Sequence, residues 1–395
     1  MKQTLTVLSL VAVLAVSVAA TETRVLTMGD NNMILLDEAN VILFPSRLVD
    51  YPDLAIGEFQ PNDMTQLGIN WKPNKDKQCV LGTYLHNNTA ENHNYLPINV
   101  PFGQNKRIDL YYGRMIGKHK VGFHLGYRQA TDKDEKPADK DEQSMHILRL
   151  DLGLTPDGDK FDLAAGFELL GWSDKATNTV VSGADTTYNQ WTVTDPSGNM
   201  AFYARGRYFK PMSSLVTLIP HAEFRYGKYE YDTSAIVSDQ AELVRTNKNS
   251  VVMLNAGLGM EYVPATNVLA VIDLGVIYDV VNYEIDPASG DAYEVDEATF
   301  TLPYVKMGMD ADVFSWMDIR FGATTYWRNY ALESGSSKDT QGYPDNETYL
   351  GFGFHWNRLH VDVHTDPEMF LDGLNFISGA ANNMNFRISA VYEMM

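Results

Sequence analysis

Cys79 is the only cysteine in 395 residues, so the chain cannot close an internal disulfide. Beyond residue 20 there is no apolar run of about 18 residues, which leaves no helix able to cross a bilayer. Positive charge is scarce: 31 Lys and Arg stand against 51 Asp and Glu, a net charge of -20. That balance argues against nucleic acid as a partner and against non-specific adhesion to an anionic surface. The sequence also lacks the long polar tract of a disordered protein, a Gly-rich phosphate loop, a dinucleotide fingerprint and a Ser in a nucleophile motif. No cofactor is expected, and enzyme chemistry has no visible starting point.

What is present begins with an export signal. Lys2 supplies a positive charge, residues 5–18 form an apolar run, and Ala19-Ala20 offers a small-residue cleavage site. Residues 1–20 therefore read as a secretory signal peptide, with an uncleaved anchor as the rival. No Cys lies near the cleavage site, so a lipoprotein anchor has no point of attachment.

The body of the chain alternates with period two. Leu148, Leu150, Leu152 and Leu154 alternate with Arg149, Asp151, Gly153 and Thr155. After a Pro156-Asp157-Gly158 turn, Phe161, Leu163, Ala165, Phe167 and Leu169 alternate with charged or small residues. Strand side chains point to opposite faces in turn, so this hairpin has one apolar and one charged face.

The same pattern recurs downstream in pairs joined by tight turns at 73–76, 117–118, 157–158, 211–213, 264–266, 314–315 and 358. Long polar stretches near 87–106, 130–144, 173–198, 231–249, 284–297, 331–346 and 366–383 separate the pairs and are expected to be loops. Short turns alternating with long loops are the plan of an outer-membrane β-barrel. With both chain ends in the periplasm the turns require about sixteen strands, the least obvious lying at 54–60 and joined through Pro61-Asn62-Asp63. Fourteen is the alternative count. The expectation is an all-β, transmembrane antiparallel barrel over 54–395, with Trp71, Trp172, Tyr262, Trp316, Trp327 and Trp356 in interfacial girdles. Cys79 falls on its lipid-facing side with Leu81 and Leu85. A soluble sandwich would instead bury the apolar faces and turn the charged ones outward.

The inward face of such a barrel collects Arg128, Arg149, Asp151, Arg205, Arg207, Glu223, Arg225, Asp310, Arg320, Arg328, Asp362 and Arg387. Unpaired charges cannot sit in a dry core, so these are expected to line a water-filled lumen with cross-strand ion pairs. His360, Asp362 and His364 share one strand face and are a candidate metal trio. Neighbours two apart on a strand lie ~7 Å apart, which is too wide for easy sharing of one tetrahedral ion. Ordinary lumenal polarity is the competing explanation. His221, Glu223 and Arg225 form a second row, and glycines scattered singly through the strands suit barrel bends.

Residues 21–53 do not alternate. Their stretch MGDNNMILLDEANVILFPSRLVDYP resembles the opening of the FadL-like outer-membrane family, in which a small-residue and acidic segment precedes Asn-Pro-Ala-hydrophobic. Here the matching region reads Leu43-Phe44-Pro45-Ser46-Arg47-Leu48, without the Asn and with Ser for Ala. The resemblance implies a fourteen-strand barrel, an N-terminal plug inside the lumen and a hydrophobic cargo. A periplasmic lead-in is the other reading of 21–53. The chain ends in Met394-Met395 where barrel-assembly signals carry an aromatic residue, leaving Tyr392 as the nearest.

These features point to an outer-membrane pore for passive passage of small solutes, in contact with outer-membrane lipid and with homo-oligomers possible. Alternatives are a carrier of hydrophobic ligands and a non-conducting scaffold for surface or secretion partners. Residues 21–53 and the apolar part of 366–383 are candidates to constrict the lumen, and acidic residues over 132–142 hint at cation preference.

Overall fold

The computed structural model describes residues 22–60, 64–73, 78–87, 105–135, 139–156, 159–182, 185–194, 199–237, 243–286, 293–334, 337–365 and 386–394. The expected signal peptide and the segment 366–383 lie outside these residues. The chain runs through β1 (Leu54–Gln60), β2 (Met64–Trp71), β3 (Cys79–Asn87), β4 (Asn105–Ile116), β5 (His119–Glu135) and β6 (Asp139–Thr155). It continues through β7 (Phe161–Ser182), β8 (Asp185–Thr194), β9 (Met200–Tyr208), β10 (Lys210–Pro211), β11 (Val216–Val237) and β12 (Leu243–Ala265). It ends with β13 (Val268–Asp286), β14 (Tyr293–Phe314), β15 (Met317–Ser334), β16 (Ser337–Trp356), β17 (Leu359–Thr365) and β18 (Phe386–Glu393).

Each strand pairs antiparallel with its neighbours, and β1 pairs with β18 from Leu54↔Glu393 to Phe59↔Ile388, which closes the sheet. Both β8 and β9 pair with β7 on one side and β11 on the other, and β10 continues them against β11, so the three make one stave. The result is a closed sixteen-strand barrel, not the fourteen implied by the N-terminal resemblance. The faint first hairpin, β1–β2 joined across 61–63, is present and decides the count.

Alternation explains the wall. In the β6–β7 hairpin Arg149 stands opposite Glu168 and Leu150 opposite Phe167. Leu152 and Phe167 point out, whereas Asp151, Arg149 and Glu168 are buried on the inner side. Phe123, Leu258, Leu274, Phe300 and Phe321 continue the outward apolar surface around the barrel. At the end bearing the short turns, the rings of Phe314, Trp316, Phe354 and Trp356 stack in sequence with centroids 5.5, 6.3 and 5.7 Å apart. A closed barrel with an apolar outer belt and aromatic edges spans an outer membrane.

One expectation fails. Much of 130–144, 173–198, 231–249, 284–297 and 331–346 is strand, not loop: β7 runs for 22 residues and β12 for 23. About 10 residues suffice to cross the hydrocarbon layer. Beyond it a strand needs only a hydrogen-bonding neighbour and no apolar face, so hydrophobic alternation stops before the strand does.

Residues 22–53 lie inside the barrel as α1 (Glu22–Thr27), α2 (Asn40–Leu43) and a 3-10 turn (Pro45–Asp50). Their apolar side chains form three clusters with inward residues of the wall. Met28, Ile34 and Leu35 meet Phe209, Ile219 and Val271. Val41 and Leu48 meet Ile56, Val80 and Tyr111, and Leu43 and Phe44 meet Met145, Ile147 and Leu170. The interior is therefore only partly wet, because the segment covers much of the charged wall.

Candidate functional site

The segment fits because the wall lacks side chains where it touches. A Cβ at Gly122 or Gly153 would collide with the backbone at Pro45 and Ser46, and one at Gly308 with the backbone of Met28. At Gly322 it would strike Thr27 and Gly29, at Gly351 the side chain of Thr27, and at Gly259 that of Ile34. These glycines are not bends but places of close approach. Gly29 itself takes φ +79°, a turn that suits glycine and brings the chain out of α1.

Charges hold the segment in this seat. Arg24 of α1 donates to Asp37 at 2.6 Å and to Asp310 of β14 at 3.2 Å. Arg387 of β18 donates to Glu22 at 2.5 Å and also to Glu58, which accepts a further hydrogen bond from Thr23 at 2.7 Å. Lys306 reaches Asp30 at 2.9 Å, and Arg47 binds Asp162 at 2.8 Å. Arg207 shares Asp162 at 2.8 Å and also donates to the carbonyls of Met33 and Leu35 and to Asn40 Oδ1. Within the segment, burial pushes the Asp37 carboxyl up, but Arg24 and hydrogen bonds at Glu38 outweigh it and hold it below the usual range. Burial, together with the charge of the neighbouring Asp37 and a hydrogen bond to it, raises Glu38 well above the carboxylate range.

Two cavities flank α1. One of about 640 Å³ lies at the short-turn end, between Arg24, Asp37, Glu38 and the wall residues Asp310, Asp312, Asp318, Arg320, His355 and Asp362. The other, about 460 Å³, lies toward the long-loop end and is lined by Glu22, Asp30, Glu223, Arg225, Tyr304, Lys306, Tyr326, Arg328 and Arg387. Along β14, β15 and β16 the residues of the two cavities are separated by Gly308, Gly322 and Gly351, where Thr27, Met28 and Gly29 press on the wall. Among the described residues, the segment thus lies between the two cavities along these three strands.

The inward residues expected from sequence fall into networks. Arg149 donates to Asp151 at 2.7 Å, and His124 lies between Asp151 at 2.5 Å and Asp109 at 2.7 Å. Arg205 and Arg225 both reach Glu223, at 3.1 and 2.6 Å. Arg320 bridges Asp310, Asp318 and Asp362. Arg128 is buried on the inner face of β5, and Arg328 pairs with the half-exposed Asp345 at 2.9 Å. The trio His360, Asp362 and His364 is not brought together: Asp362 is held by Arg320 and Ser389. His360 instead turns its Nδ1 to that of His355 at 2.7 Å, and His364 lies beside the Tyr349 ring. Second-row His221 binds Asp273 at 3.0 Å. Sequence reasoning missed Arg24, Asp37, Glu58, Arg107 and Asp109. The signal for the last two was in the sequence, since Arg107, Asp109 and Tyr111 alternate with Ile108, Leu110 and Tyr112 on β4.

No protein-family model matches the chain, and no curated protein sequence matches it. Among solved structures it is similar to the CymD monoaromatic hydrocarbon channel, at 9% identity and TM-score 0.42 over 96% of this chain and 98% of that one. It is also similar to the Pseudomonas putida toluene transporter TodX, at 9% identity and TM-score 0.39 over 95% and 96% of the two chains. The ferric yersiniabactin uptake receptor FyuA from Yersinia pestis is similar at 6% identity and TM-score 0.40, over 87% and 81%. The closed wall, apolar belt and charged interior described above make this chain an outer-membrane β-barrel.

Proposed function

We propose that this protein is a gated outer-membrane transport barrel for small polar solutes, with residues 22–53 as a plug that closes the lumen at rest. The observation that carries this reading is the pair of charged cavities separated by the seat of Thr27, Met28 and Gly29. A sixteen-strand barrel has room for an aqueous channel, and here the segment occupies that room. Passage from one cavity to the other requires the segment to shift. The latches that hold it are ion pairs with inward residues of β5, β7, β14 and β18 and a hydrogen bond to Glu58 of β1, so charge or a partner acting on the segment would open the path. Glu223, Arg225 and Arg328 line the second cavity, where they would meet the solute.

A second reading rests on the apolar patch inside the lumen. Met145, Ile147, Leu170, Ala201 and Tyr229 are buried on the inner side with Leu43 and Phe44. Displacing the segment would uncover this patch to a hydrophobic cargo. Uptake by proteoliposomes separates the two: polar solutes of a few hundred daltons should enter faster through the barrel lacking residues 22–53 than through plain lipid. Faster entry of small aromatic compounds alone would favour the second reading. A barrel that passes neither is a scaffold.

A further inference from the structure

At the short-turn end His355 of β16 and His360 of β17 stand directly opposite each other, one step behind the Trp356–Leu359 pair that closes the hairpin. Asn357 in the turn takes φ +57°, the left-handed conformation that two-residue hairpin turns use. The hairpin is anchored on both sides. His355 N–H donates to the Trp316 carbonyl and Glu393 N–H to the Arg358 carbonyl, both at 3.0 Å. The two imidazoles are therefore held in a fixed relation. Their ring centroids are 4.8 Å apart, their planes cross at 83°, and Nδ1 faces Nδ1 at 2.7 Å.

The outer nitrogens decide what can lie between the rings. His355 Nε2 is 2.5 Å from Asp318 Oδ2, and the same oxygen accepts from Arg320 at 3.0 Å. A carboxylate paired with a guanidinium only accepts, so the neutral His355 ring carries its proton on Nε2 and turns a bare Nδ1 lone pair to His360. Behind His360, the Glu393 carboxylate lies 4.0 Å from Nε2. A carboxylate behind the outer nitrogen is the arrangement that orients metal-ligating imidazoles. Two Nδ1 lone pairs this close repel unless a proton or a metal ion lies between them. When a metal takes that place, the His360 proton moves from Nδ1 to Nε2 on the Glu393 side, and no net proton has to leave. Nitrogens about 2.0 Å from one ion stand about 2.8 Å apart at adjacent corners of a square and about 3.3 Å apart on a tetrahedron. The observed 2.7 Å fits the square, the geometry of copper(II) and nickel(II). The side chains are 33% and 38% exposed and line the cavity of about 640 Å³, so water can complete the coordination.

We propose that His355 and His360 form a cross-strand clamp for a divalent transition metal of the copper(II) class at the short-turn mouth. The site goes beyond the transport reading and stands without it, since both ligands belong to the wall and not to the plug. The test is a titration of the folded full-length protein, made without a polyhistidine tag, with copper(II) in detergent. Binding is followed by electron paramagnetic resonance, whose pulsed form counts the imidazoles on the metal. One saturable tetragonal site with two imidazoles is expected. His355→Gln and His360→Gln should each leave one imidazole on the copper and weaken binding about tenfold or more. His364→Gln, on the same strand as His360 but beside the Tyr349 ring, should change the affinity less than about twofold. Heat-modifiable migration in gels verifies that each variant keeps its barrel. Absence of saturable binding in the unmodified chain overturns the proposal, and so does an unchanged spectrum and affinity in either folded variant of the pair. Neither result depends on whether the barrel conducts.

Discussion

Arg24 ties α1 both to its own segment and to the wall. The Asp37 side chain is only 2% exposed, so removing the guanidinium strands a buried carboxylate. Breaking a buried pair from one side costs about 3–5 kcal/mol. Arg24→Gln is therefore expected to raise hydrogen exchange and protease cleavage within 22–53 while the strands stay protected.

Glu38 gives the segment a pH dependence of opposite sign to Asp37. Asp37, held below its ordinary value, stabilises docking above that value and loses this as pH falls. Glu38, raised by burial and by Asp37, favours docking when neutral. Its contribution is complete below the ordinary 4.5 and fades as pH rises through the raised value. Exchange protection of residues 34–44 should accordingly fall toward alkaline pH, and Glu38→Gln should flatten that decline. An unchanged pH profile in the variant would contradict the assignment. Neither residue's role was legible beforehand: the two stand side by side in the sequence, but only the tertiary fold places Arg24 against Asp37 and not against Glu38.

At the scale of elements, the strands were readable because lipid on one side and polar contacts on the other impose period two. Turns were readable because Gly, Pro and Asp gather at them, which gave sixteen staves including the thin β1. The extensions of β5 to β16 past the lipid were not, since no apolar face marks them there. The inward glycines were misread as bends. Their consistent place on the charged face, as with Gly122 beside His124 and Gly153 beside Asp151, was the overlooked sign that something presses on the inner wall. Gly308→Val tests this. Its added branches meet Met28, so the segment should be expelled from its seat while the β13–β15 pairing survives. Continued protection of Met28 and Ile34 from exchange in a folded Gly308→Val barrel would show that the seat is not tight.

At the scale of the whole molecule, the barrel and its contents divide the work. The wall supplies an apolar exterior and a charged interior, and residues 22–53 fill the space between the two cavities. Sequence placed the inner-face charges Arg205, Glu223, Asp310, Arg320 and Arg387 together on the inward side. It could not tell which would meet water and which would grip a segment, because that depends on the path of a chain that has no periodicity of its own. Closure by that segment is the central claim, and single-channel conductance in planar bilayers tests it most directly. The full-length protein should show rare or brief openings, and the same barrel lacking residues 22–53 should conduct steadily with several-fold larger current. Equal conductance of the two, or none from the truncated barrel once it is shown to be folded, would contradict it.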